Sequence, residues 1–152
     1  MVRQFLELIP LSNFLFFCFL LVGSSSYIGY KFIKYSSIVK QVTPIDEAKR
    51  TINSNQKVVV FLIDPLKCSA CMQQFSMVRS LLVEFKLPYV VVNYRDDEVF
   101  ARSLAKWQRP PILISILNGK ADKFLDASKV YRLSHEQYKQ FLEGVVRTWK
   151  AV

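Results

Sequence analysis

The sequence predicts an α/β domain with a central mixed sheet flanked by helices. Three observations carry that expectation. Two short apolar runs rich in β-branched residues, 58–63 and 89–92, alternate with helical patterns, as parallel strands joined by crossover helices do. Pro110-Pro111 then introduces a third run, 112–117, ending on Asn118-Gly119. That dipeptide suits a two-residue hairpin, whose type I′ turn needs positive φ at both central positions, so an antiparallel partner follows. Last, a capped amphipathic pattern begins at Ser134.

Taken in order, the chain opens with an uncharged stretch from residue 8 to residue 30. Its most apolar part runs from Phe14 to Val22 and includes Cys18, which reads there as a small hydrophobe. The whole stretch has about the 20 residues a spanning helix needs. The segment 1–30 is therefore expected to be a signal anchor or a cleaved signal peptide. Gly23, Ser24, Ser25 and Ser26 would suit cleavage, and Tyr27 and Tyr30 would suit a membrane interface. Arg3 set against Glu7 is a weak positive start for a signal peptide, which favours the anchor. Lys31, Lys34 and Lys40 follow the segment. By the positive-inside rule they place the main domain on the cytoplasmic side. An N-terminal hydrophobic segment is first of all an export signal, so the exported side is the expectation and the cytoplasmic side its alternative.

Residues 31–42 read as a tether and residues 43–152 as one folded domain. Thr43 is expected to cap a helix with Pro44 at its first position, Asp46 and Glu47 in its first turn, and Ile45, Ala48 and Ile52 on one face. The run 58–63 has the length and composition of a buried central strand, closed by Asp64-Pro65. After Cys68, the residues Met72, Phe75, Val78, Leu82 and Phe85 recur at helical steps until Pro88. Following the second strand, Asp96 is expected to cap a helix whose apolar side carries Val99, Phe100, Leu104 and Trp107. Phe124 and Leu125 belong to the returning hairpin strand. Ser134 and Gln137 form a capping box, ahead of an apolar face of Tyr138, Phe141, Leu142, Val145 and Trp149.

Composition narrows the function. The 152 residues carry a formal net charge of +9, yet the Lys and Arg residues are scattered and no nucleic-acid module signature is present. Nucleic acid is not expected as a partner; a solvated basic surface, with at most weak attraction to anionic lipid, is. Three cysteines are too few for a disulfide framework. Two of them form Cys68-Ser69-Ala70-Cys71, at the junction where a buried strand becomes a helix. Residues three apart in a first helical turn face the same way, so the two sulfurs can meet. A cysteine at a helix N-terminus has unpaired N–H groups and the helix dipole to stabilise its thiolate, the attacking species in thiol–disulfide exchange. A zinc site needs two further ligands, and the chain offers only Cys18 and the lone His135, so no metal is expected. Two buried structural cysteines without turnover remain the alternative.

From about residue 43 to residue 150 the chain resembles the thioredoxin family. The order of elements matches: helix, strand, Cys-x-x-Cys helix, strand, helix, proline, hairpin, final helix. The stretch from Pro111 through Asn118-Gly119 to Lys120 is similar to that family's proline, strand and hairpin, and the stretch from Leu133 to Leu142 to its final helix. The resemblance implies a thioredoxin-like fold without a cofactor. It implies Cys68 as nucleophile and Cys71 as resolving thiol, with Pro111 a cis-proline facing them. Pro110 and Pro111 would then bind substrate, Pro110 supplying a C=O but no N–H. Protein thiols or disulfides would be the clients. The family's Gly-Pro between the cysteines is Ser69-Ala70 here, its preceding Trp is Lys67, and its buried acid is Leu62. Asp64, two residues further on, is a candidate for that acid's proton-transfer role; a plain strand-end turn residue is the other reading. The function expected is a thiol–disulfide oxidoreductase, and the alternative is a non-catalytic partner-binding module of the same fold.

Overall fold

A computed structural model describes residues 11–106, 108–126 and 134–152. Arg3, Glu7, Trp107 and Leu133, on which parts of the sequence reading rest, lie outside the described residues. The chain divides into two compact units, Met1–Ser36 and Ser37–Val152. Helix α1 spans Leu11–Val39. It carries the apolar run of the first unit and continues through much of the stretch read as a tether; Ile38 already belongs to the core of the second unit. Among the described residues no helix is long and apolar enough to cross a membrane.

The second unit continues with α2 (Ile45–Ser54), β1 (Lys57–Ile63), α3 (Ser69–Glu84), β2 (Tyr89–Asn93) and α4 (Glu98–Leu104). It ends with β3 (Ile112–Leu117), β4 (Lys120–Leu125) and α5 (His135–Ala151). The sheet has the order β2-β1-β3-β4. β1 runs parallel to β2 and antiparallel to β3, and β3 runs antiparallel to β4, so the sheet is mixed. The hairpin turns where expected, with Asn118 at φ 52° and Gly119 at φ 73°. A register shift at Ser115 and Ile116 interrupts the β3–β4 ladder. There the buried Ser115 hydroxyl accepts from Lys123 N–H and donates to Asp122, which satisfies it.

β1 explains the continuous apolar run. Alternate residues of a strand face opposite sides, and both sides of this strand are covered. Val59, Phe61 and Ile63 pack in a layer with Cys71, Phe75, Val78 and Leu82 of α3 and Tyr138, Leu142 and Val145 of α5. Val58, Val60 and Leu62 pack in the other layer with Ala48 and Ile52 of α2 and Ala101 of α4. The Phe61 and Phe75 rings stack 6.1 Å apart, clamping the first turns of α3 to the strand that leads into it. A pair of this kind is worth about 0.5–1.5 kcal/mol beyond its buried area.

Two caps fall one residue from their expected positions. Pro44, not Thr43, is the N-cap of α2. Thr43 is drawn to the sheet: its N–H donates to Val91 C=O at 2.8 Å, and its hydroxyl accepts from Val91 N–H at 3.1 Å. β2 is an edge strand, and Thr43 satisfies groups that no neighbouring strand reaches. Likewise Asp97, not Asp96, caps α4, accepting from Phe100 N–H at 2.9 Å. Lys49 of α2 pairs with Asp97 at 2.7 Å, while Asp96 accepts from the Asn93 side chain. Val99 is 82% exposed, so it is not on the apolar side as expected. The capping box at Ser134 and Gln137 forms as the sequence implies.

Candidate active site

Pairing geometry gathers the candidate residues at one end of the sheet. β1 and β2 are parallel, so both deliver their following loops there; β3 is antiparallel to β1, with Ile112 opposite Leu62, so Pro110 and Pro111 enter at that same end. β1 stops at Ile63, and the chain turns at once, Cys68 N–H donating to Asp64 C=O at 2.9 Å. Cys68 is then the N-cap of the 16-residue α3.

The two cysteines form a disulfide with Cα atoms 5.2 Å apart. Their surroundings differ. Cys68 is half-buried, and its Sγ accepts from Cys71 N–H at 3.0 Å, a free donor of the first helical turn. Cys71 is 1% exposed, within the apolar layer of Phe61, Ile63 and Phe75. Of the two, Cys68 is the one open to an attacking thiol in part, and Cys71 is closed to it. Attack at Cys68 expels Cys71 as thiolate, and reformation of the pair expels whatever had been joined to Cys68.

The Pro110-Pro111 bond is cis, as the resemblance implied. Pro111 is buried and Pro110 half-buried. Leu62, where the family has an acid, is fully buried in the layer opposite Cys71, beside Val60, Val92 and Ile112.

Asp64 is the group whose surroundings sequence reasoning missed. One carboxylate oxygen, Oδ1, accepts from Leu66 N–H at 3.1 Å, Lys67 N–H at 3.1 Å and Arg95 Nε at 2.9 Å. Burial pushes this carboxyl up, but the bonds from Arg95 and the two backbone N–H groups outweigh it and hold the pKa below the ordinary carboxylate value. The group toward Cys71 is the backbone N–H of Asp64, 3.5 Å from Sγ. Arg95, one of the scattered basic residues and given no site role from the sequence, follows β2. The signal for it was register: Ile63 pairs with Asn93, so residues just beyond the two strand ends stand side by side. A lone acid after one parallel strand and a basic residue after its neighbour mark a candidate pair.

No protein-family model matches the chain, and no curated protein sequence matches it. Solved structures do. A mutant thioredoxin from Halobacterium salinarum superposes with a TM-score of 0.55 at 13% identity, covering 68% of this chain and 87% of that one. Mitochondrial thioredoxin 3 from Saccharomyces cerevisiae, in its oxidised form, gives 0.55 at 13% identity over 73% and 98%. This chain has the thioredoxin fold. The oxidised thioredoxin from Plasmodium falciparum superposes similarly, at 0.55 and 17% identity over 68% and 93%. Against the thioredoxin fold, the disulfide of this chain lies at a strand-to-helix junction with one half-buried and one buried cysteine.

The ion pair at Asp64 gives a pH dependence. A carboxyl whose folded pKa is depressed contributes stability that is full above its unfolded pKa and is lost as pH falls through the folded one. Urea unfolding of the wild-type protein and Asp64→Asn should differ at neutral pH, with the variant weaker, and the two curves should converge in acid. A gap that persists unchanged into acid would show that Asp64 stabilises the fold by something other than its charge.

Proposed function

We propose that the second unit is a thiol–disulfide oxidoreductase acting on cysteines of other proteins through Cys68 and Cys71. The observation that carries this reading is the asymmetry of the pair: one cysteine half-buried at a helix N-terminus, its partner sealed in the core one turn later. A purely structural disulfide has no need of an accessible sulfur. In the proposed cycle a client thiolate attacks Cys68 Sγ, forming a mixed disulfide and releasing Cys71. A second client thiolate attacks the client sulfur of that mixed disulfide and frees Cys68. The client loses two electrons, which the protein keeps as two thiols; the reverse sequence reduces a client disulfide. Pro110 and Pro111 form the facing wall for the client backbone. Because Pro110 has no N–H, client selection there relies on side-chain contacts and on the Pro110 C=O.

We also propose that the N-terminal segment attaches this domain to a membrane, with the domain on the exported side. The reading is supported by the uncharged stretch before Lys31 and by the large apolar side chains exposed on α1, among them Leu20, Val22, Tyr27, Ile28 and Ile33.

The catalytic proposal is tested by trapping. Cys71→Ser should accumulate client proteins joined to Cys68, separable by reducing agent, whereas Cys68→Ser should accumulate none. Equal and slow alkylation of both reduced cysteines, with no trapped client, would leave the non-catalytic binding module. For the membrane proposal, carbonate-washed membranes from expressing cells should retain the full-length protein, and externally added protease should degrade its domain. Release of a shortened soluble form would end the attachment reading, and protection from protease the export reading.

A further inference from the structure

We propose that the backbone N–H of Asp64 stabilises Cys71 as the leaving thiolate, and that the Asp64–Arg95 ion pair steadies this N–H from the side the sheet leaves free. The inference rests on the oxidoreductase reading and assigns the chemistry of its buried half. When a thiolate attacks Cys68 Sγ, a new S–S bond forms to Cys68, the Cys68–Cys71 bond breaks, and its electron pair stays on Cys71 Sγ. That sulfur is 1% exposed and lies among Phe61, Ile63 and Phe75, where an unsolvated negative charge is costly. Two remedies exist: a proton carrier or a fixed hydrogen-bond donor.

The two candidate positions for a proton carrier do not serve. Leu62 packs in the opposite layer. The Asp64 carboxylate is ionised at neutral pH, and its Oδ1 already takes three donors on the side of Arg95 and the turn 64–67. The chain does place a donor: Asp64 N–H stands 3.5 Å from Cys71 Sγ. A thiolate accepts such a bond more strongly than a disulfide sulfur does, so the donor favours the broken-bond state over the intact one and speeds cleavage.

A donor helps only if it does not swing away as charge develops. Asp64 is the first residue past β1; the peptide unit that carries its N–H is still held through Tyr94 N–H on Ile63 C=O, but the chain after it has no strand partner. Its side chain adds restraints from two directions. It binds the N–H groups of Leu66 and Lys67 ahead of it, closing the turn that presents Cys68. It also binds Arg95, whose own backbone is fixed by a bond from its N–H to Asn93 Oδ1 at 3.2 Å, next to Tyr94 N–H on Ile63 C=O at 2.7 Å. The loop after β2 therefore braces the loop after β1. Arg95 is a positioning residue, and Asp64 acts on the reacting sulfur through its main chain.

The test uses the full-length chain in a Cys18→Ala background, so that only two thiols report. Arg95→Gln should slow cleavage of the Cys68–Cys71 disulfide by dithiothreitol by about fivefold, the worth of one net hydrogen bond. It should also raise the Cys71 pKa read by thiolate absorbance in reduced Cys68→Ser protein, an effect that loss of stability alone does not produce. Arg95→Lys should recover most of both. Asp64→Asn, which keeps an acceptor for the two turn N–H groups, supplies a second variant and should match Arg95→Gln. Wild-type cleavage rates and an unchanged Cys71 titration in Arg95→Gln would overturn the proposal. So would an Asp64→Asn defect far larger than that of Arg95→Gln, because it would return the role to the carboxylate. The Cys71 titration needs no client, so it decides this proposal even if the wild-type protein exchanges with none and the oxidoreductase reading falls.

Discussion

β1 is buried on both faces and hydrogen-bonded to a strand on each side, so its backbone is committed as far as Ile63, and Asp64 is the first residue free to turn. The position of that stop governs the site. A one-residue slip of β1 against its neighbours would flip its side chains between layers. The turn 64–68 would then close elsewhere, and Cys71 would not enter the layer of Phe61 and Phe75. The aromatic clamp between β1 and α3 and the Asp64–Arg95 brace both enforce the same stop, one from inside the core and one from its rim.

From that stop follows the chemical inequality of two cysteines only three residues apart. Cys68, as N-cap, keeps a route to solvent and takes a hydrogen bond from Cys71 N–H; Cys71, one turn in, is sealed. Parallel pairing with β2 and antiparallel pairing with β3 bring Arg95 and Pro110-Pro111 to the same sheet end without any local sequence relation among them. This end of the sheet is thus assembled by topology, and each loop contributes a different element: the disulfide, Arg95 and the cis Pro110-Pro111 bond.

Features set by local rules were legible in the sequence. The β-branched run of β1, the Asn118-Gly119 turn and the capping box of α5 follow from chain-local preferences, and each forms as those preferences imply. The location of Cys68 at a strand–helix junction was legible for the same reason. What local rules could not reach were choices between adjacent residues decided by a distant partner. Thr43 is a good cap by type, but Val91 claims both its N–H and its hydroxyl; Asp96 and Asp97 are equal by type, and Lys49 selects the second. Asp64 was legible as a strand-end residue near the sulfurs. Its binding of Leu66, Lys67 and Arg95 depends on the register of β1 against β2, which the sequence does not display.

The central claim is that Cys68 and Cys71 are a reversible two-electron pair entered only through Cys68. A redox titration of the full-length protein in glutathione buffers, quenched with a thiol-trapping reagent and resolved by mass, tests it most directly. One transition is expected, in which both cysteines change state together, with any glutathione adduct on Cys68 and none on Cys71. A pair that stays oxidised across the whole range, or adducts shared between the two sulfurs, would contradict it.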